Sequence, residues 1–262
     1  MTLNYSLLIA SVVRDCESHL EKVFTNIENI SKRFNSVKVV FVESDSSDNT
    51  LSILEDIKTN SNLDVQIISL GKLQDTFPSR TDRISHARNV YLDIAEKENY
   101  DYLLVLDSDE ISTEEMNVDD VMSCFDYEDW DMMTSNQPSG YYDLWALRHE
   151  KLMPYDCWKK VVERPSNISY NKAVYEYVNK AFFKLSKTEN PVKVNSAFGG
   201  AAFIKVKGIN GSRHVGHYEN GIPICEWVPF CDRLENIFIN PRFVNSSVLS
   251  EHIKANMMVG KS

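Results

Sequence analysis

Positive charge is scarce in this chain: 28 Lys and Arg stand against 38 Asp and Glu, a formal net charge of −10. That deficit excludes a protein that holds nucleic acid or an anionic membrane by unspecific attraction. It also means that any diphosphate bound here is neutralised locally, by a metal ion or by a few placed arginines. Cysteine is present five times, an odd number with no Cys-x-x-Cys pair, which fits neither a disulfide framework nor a zinc site. Reduced thiols in a cytoplasmic compartment are the expectation. No apolar run approaches the roughly 20 residues that a membrane-crossing helix takes. The first apolar stretch, Ser6 to Val13, has no basic residues before it, so no signal peptide is expected. The terminal Gly260-Lys261-Ser262 is not a phosphate loop, because Ala255 stands where the first glycine belongs.

What is present suffices for a substantial core: 262 residues, 43% of them hydrophobic. The most informative segment is Tyr102-Leu103-Leu104-Val105-Leu106 followed by Asp107-Ser108-Asp109. Five apolar residues bounded by acids read as a buried strand. Two carboxylates two positions apart at its C-terminal edge lie where open α/β sheets bind ligands, and strand geometry points both to one side. Hard oxygen donors so placed suit Mg²⁺ or Mn²⁺, which take one or two carboxylates and fill their shell with water and phosphate oxygens. A solvated acidic turn is the plain alternative for an isolated Asp-x-Asp, so the surroundings must decide.

Those surroundings alternate. Residues 5–13 read as a strand, and Glu17 to Arg33 as a helix with Leu20, Phe24, Ile27 and Ile30 on one face. Val37 to Val42 reads as a strand, the segment from Leu51 as a helix, Val65 to Leu70 as a strand and Ile84 to Ala95 as a helix. This pattern predicts an α/β fold: a mostly parallel, Rossmann-like sheet with helices on both faces in one compact domain. Residues 1–110 are expected to be a nucleotide half and 111–262 an irregular acceptor half. There a modest helix is expected over Glu114 to Phe125, and strands over Trp130 to Ser135, Ala181 to Leu185 and Ala197 to Val206. A short helix from Arg233 and an apolar Ile237-Phe238-Ile239 follow.

Three segments, in order, carry a resemblance. They are Phe41-Val42-Glu43-Ser44-Asp45-Ser46-Ser47-Asp48-Asn49-Thr50, Ala87-Arg88-Asn89, and Leu104 to Glu110. Together they resemble the GT-A nucleotide-sugar glycosyltransferases. The second half adds Tyr142 to Arg148, Phe198-Gly199-Gly200-Ala201 and Cys225 to Cys231, similar to capsule-type mannosyltransferases of fungi and their viral or bacterial relatives. The resemblance implies a metal-dependent transfer of a sugar from a UDP- or GDP-linked donor to a hydroxyl of a glycan or lipid-linked acceptor. Asp107 and Asp109 would hold Mn²⁺ or Mg²⁺, with His217 as a third ligand and His214 and His252 behind it. Arg14, Glu43, Asp45, Arg83, Arg88, Ser108, Gly199 and Gly200 would meet the donor, Arg88 at the diphosphate. Ser44 stands where the family often has a second acid, which leaves open whether Glu43 or Asp45 reads the base. Trp145 and Arg148 would meet the acceptor. Glu226 would be the carboxylate near the reacting carbon, with Asp232 and Asp143 competing for that role. Arg80 reads as ordinary solvated charge. Two other functions compete: a sugar-phosphate nucleotidyltransferase and a non-catalytic glycan-binding protein. Against the first, Val13-Arg14-Asp15-Cys16-Glu17 occupies the place of its glycine-rich basic loop.

Overall fold

Alternating side chains along the first strand supply two cores at once. In a computed structural model, describing residues 2–248 and Lys254, β1 (Leu3–Val13) turns Leu8 and Ala10 to one face and Leu7 and Ile9 to the other. The helix α3 (Arg80–Lys97) covers the first face with Ala87, Tyr91, Leu92 and Ala95. The opposite face packs under α1 (Leu20–Ser31) and α2 (Thr50–Asn60) through Leu20, Val23, Ile27 and Leu54. Each such side chain, fully buried, stabilises the fold by about 1.5–3 kcal/mol. The strand β4 (Tyr102–Leu106), apolar at every position, is buried at every position, as a strand covered on both faces must be.

With β2 (Phe34–Glu43) and β3 (Asp64–Ser69), these strands run parallel in the order β3-β2-β1-β4. The second half then extends the same sheet. After α4 (Val118–Met122) come β5 (Met132–Asn136), α5 (Cys157–Val162), α6 (Tyr170–Tyr177), β6 (Val192–Val194), β7 (Ala201–Lys205), α7 (Trp227–Cys231) and β8 (Ile237–Val244). The full order is β3-β2-β1-β4-β7-β5-β8-β6, with β7 antiparallel to both β4 and β5. One α/β sheet of eight strands therefore crosses residue 110. Chain connections diverge from β1 to β2 on one side and β4 on the other. Such a reversal opens a crevice beyond the strand ends.

The second half departs from its pattern in four places. Residues 181–185 form no strand: a 3₁₀ turn over Asn179–Ala181 precedes extended coil. The strand expected from Ala197 starts at Ala201, because Gly199 and Gly200 sit at φ +70° and +86°, outside any strand conformation. The helix expected from Arg233 lies earlier, over Trp227–Cys231, where Pro229 falls in the first turn and removes no intrahelical hydrogen bond. Helices α5 and α6 and the three-residue β6 have no counterpart among the elements expected for the acceptor half. Their starts carry the cap residues Asp156 and Ser169, whose side chains accept the N–H of Lys159 and Lys172.

Candidate functional site

Beyond its last buried leucine, β4 is fixed on both sides. The Asp107 N–H donates to the Gly200 carbonyl at 2.8 Å, and the Ser108 hydroxyl lies 2.7 Å from that of Ser11 on β1. Ser108 is thereby buried toward β1, and Asp107, Ser108 and Asp109 line a cavity of about 440 Å³. Around it stand Arg14 after β1, Ser44 after β2, and Arg80, Arg83 and Arg88 on α3; Trp145, Phe198, Glu226 and Trp227 close it from the second half. Four arginines on the wall match its four carboxylates, Asp107, Asp109, Asp143 and Glu226, so the cavity does not share the acidic excess of the chain.

Arg88 is the most constrained of them, its side chain 6% exposed. Its Nε donates to Glu226 Oε1 at 2.9 Å, its Nη2 to Asp107 Oδ1 at 3.1 Å and its Nη1 to the Tyr91 hydroxyl at 3.2 Å. The guanidinium also lies 4.8 Å from the ring centres of both Phe198 and Trp227. Burial opposes its charge, but Tyr91, Asp107 and Glu226 outweigh that and hold the group protonated. Burial likewise lifts the Asp107 carboxyl well above the usual carboxylate range; Arg88 pulls it down and Asp109 pushes it up.

Asp143 joins the two halves of the pocket wall. Its Oδ2 accepts the Gly199 N–H at 3.1 Å and its Oδ1 the Ala146 N–H at 3.3 Å, and burial raises its carboxyl to about 6 despite both bonds. Because the folded value exceeds the unfolded one near 3.8, the stability tied to this group is complete below pH 4 and lost as pH rises through 6. Asn at this position does not titrate. Wild type is therefore predicted to lose about 2–3 kcal/mol relative to Asp143→Asn between pH 4 and pH 7, measured by urea unfolding across pH.

The Gly199 carbonyl receives three donors: Ser135 Oγ at 2.6 Å, Gln137 Nε2 at 2.7 Å and Asn245 Nδ2 at 2.8 Å. A Cβ on Gly199 would meet the Ser135 carbonyl at 2.7 Å, and one on Gly200 the Ile111 Cγ2 at 2.7 Å. The glycines themselves do not line the cavity; they aim Phe198 into it and hold Asp107 by a backbone bond. Gly199→Ala, strained at positive φ and against fixed backbone, is expected to cost about 1–3 kcal/mol or more in a urea melt.

Other candidate residues have structural partners away from the cavity. Glu43 accepts Ser46 N at 3.0 Å and Ser69 Oγ at 2.6 Å, bracing the loop after β2. Asp45, at φ +59°, accepts Gln74 N at 3.0 Å and faces Arg83 Nε at 3.8 Å. Of that loop only Ser44 reaches the cavity wall. Arg148 donates to the carbonyls of Trp145 and Leu147 and to Asp156 at 2.8 Å, so it clamps the turn before α5 and leaves the acceptor side to Trp145. Asp232 lies outside the lining, at the end of α7. His217 is held by Asp82, with Nδ1 2.6 Å from Oδ1, and is not on the cavity wall with Asp107 and Asp109. His214 is buried and neutral, stacked on Phe230. His252 lies outside the described residues.

Arg80, read from the sequence as ordinary solvated charge, lies on the cavity wall, as do Phe198 and Trp227, for which no role was expected. Arg80, Ile84 and Arg88 all line the cavity at a spacing of four, the signature of one helical face. That spacing is present in the sequence itself. Trp227 follows Glu226 directly and had no signal separating it from core.

The donor set suits a hard divalent cation. Asp107 and Asp109 share the wall, and among the described residues no group of three or more His, Cys, Asp or Glu is arranged to hold a metal. Two carboxylates with the remaining positions left to water and phosphate is the manner of Mg²⁺ and Mn²⁺.

Against solved structures the whole chain finds its architecture. TarS of S. aureus, residues 1–349 with UDP, matches at a TM-score of 0.53 and 14% identity, over 97% of this chain and 64% of that one. The same fragment with UDP-GlcNAc matches at 0.51 and 13%, over 95% and 61%. A longer TarS structure matches at 0.52 and 12%, over 97% and 39%. At this identity the likeness is one of fold: the chain has a GT-A fold and spans less than two thirds of each of these structures. No family model matches the sequence, and neither does any curated protein. Among the described residues no helix is long and apolar enough to cross a membrane, and all five cysteines are free and buried.

Proposed function

We propose that this protein is a metal-dependent glycosyltransferase that moves a hexosyl group from UDP or GDP to a hydroxyl of a glycan or lipid-linked acceptor. One observation carries the reading: Asp107 and Asp109 share a single cavity with four arginines at the reversal point of a GT-A sheet. Anionic carboxylates beside arginines suit a ligand that brings both phosphates and a cation. The TarS structures with UDP and UDP-GlcNAc favour a nucleoside-diphosphate sugar as that ligand.

In this reading Asp107 and Asp109 hold Mn²⁺ or Mg²⁺, whose charge offsets that on the departing diphosphate. Arg14, Arg80 and Arg83 meet the phosphates, and Ser108 and Ser44 lie toward the nucleoside. Trp145 and Phe198 wall the sugar side. Glu226 faces the reacting carbon; where configuration inverts, it accepts the proton of the attacking hydroxyl as the new glycosidic bond forms and the bond to the diphosphate breaks. Positioning and electrostatic stabilisation supply most of the rate.

The test offers UDP-glucose, UDP-GlcNAc and GDP-mannose with and without Mn²⁺ and measures released UDP or GDP. Metal-dependent release from at least one donor is expected. Pyrophosphate formed from a sugar 1-phosphate and a nucleoside triphosphate, or metal-dependent nucleotide binding with no turnover of any donor, would overturn the assignment.

A further inference from the structure

We propose that Arg88 is a positioning residue, which sets Glu226 and Asp107 in fixed relation and leaves diphosphate binding to the other arginines. This rests on the function proposed above and gives the helix arginine a role opposite to the one its sequence segment suggested. The geometry is specific. Each of its three nitrogens already has an oxygen partner, in Glu226, Tyr91 and Asp107. One face of the guanidinium is covered by Phe198 and Trp227. Arg14, by contrast, keeps a side chain 44% exposed, paired only with its neighbour Asp15. Arg80 is exposed on the same wall.

Two carboxylates brought into one low-dielectric pocket repel, and each alone would swing toward water. A planar fork between them cancels that repulsion and fixes the angle at which each presents its other oxygen. One carboxylate belongs to the donor side and the other to the proton-accepting side, so the fork ties the two halves of the reaction together. Lysine carries the charge but cannot bridge both oxygens while holding Tyr91.

The test uses the sugar nucleotide that the wild type hydrolyses fastest among the three above. A wild type that turns over none of them sinks the proposed function rather than this inference. For Arg88→Lys, kcat is expected to fall about 100-fold while the dissociation constant of UDP or GDP with Mn²⁺ stays within about threefold. Combining Arg88→Lys with Glu226→Gln should lower kcat by clearly less than the product of the two single losses, because the arginine acts in part through that carboxylate. Guanidinium chloride should restore part of the rate to Arg88→Ala. A tenfold or larger loss of nucleotide affinity with kcat unchanged would make Arg88 a phosphate ligand, and additive losses in the double variant would separate it from Glu226; either overturns the proposal. Should both arginine variants fail to fold, Tyr91→Phe removes one tether without touching a charge. It is expected to lower kcat about three- to tenfold at unchanged nucleotide affinity, and an unaltered kcat would overturn the proposal equally.

Discussion

Asp109→Asn is expected to remove metal-stimulated release of nucleoside diphosphate, by about 10²- to 10³-fold in kcat, while the protein melts where wild type does. The stability half follows from its surroundings. Asp109 is exposed, and its Oδ1 caps the short turn that follows by accepting the Ile111 N–H at 3.2 Å. Asparagine caps as well as aspartate, so the turn survives the change. The activity half follows from charge. An amide oxygen keeps the shape of the ligand but not its anion, and the second carboxylate, Asp107, is already shared with Arg88. Less than one full negative charge is then left to hold a divalent ion whose other partners are water and phosphate. Donor turnover as a function of Mn²⁺ concentration, beside a melting curve without metal, separates the two halves.

Glu226→Gln is expected to lower kcat by about 10²- to 10⁴-fold, the range over which a positioned proton acceptor contributes. Affinity for nucleotide and metal should be unchanged, because the arginine partner of Glu226 is Arg88, at 2.9 Å, and the phosphates are assigned to other arginines. Glutamine preserves an oxygen for Arg88 Nε, so the fork keeps a partner and the fold persists. A retained kcat would remove Glu226 from the reaction and move attention to Asp143, whose carboxyl lies on the same wall and is raised to about 6 by burial.

The first half of the fold was legible because its helices and strands are long and each has one decisive periodicity. Leu20, Phe24, Ile27 and Ile30 mark a helix face, and five unbroken apolar residues mark a strand covered twice. The second half carries short elements whose identity depends on tertiary packing. Three residues of β6 pair only because β8 lies alongside, and α5 and α6 are announced only by Asp156 and Ser169. The site divides in the same way. Asp107, Ser108 and Asp109 were readable from strand and spacing, since strand ends deliver side chains to predictable places. Glu43, Asp45, Arg148 and His217 were plausible by type, but a side chain's partners depend on distant segments: Ser69, Gln74, Asp156 and Asp82 hold them. Arg88 shows the converse, a residue singled out from its own segment whose neighbours lie as far along the chain as Glu226.

The most direct test is anomalous diffraction at the manganese edge from crystals grown with Mn²⁺ and UDP or GDP. One peak within coordination distance of Asp107 or Asp109 and of oxygens from both phosphates is the predicted result. Nucleotide bound in this cavity with no manganese at the aspartates, or manganese seated elsewhere in the protein, would contradict the account.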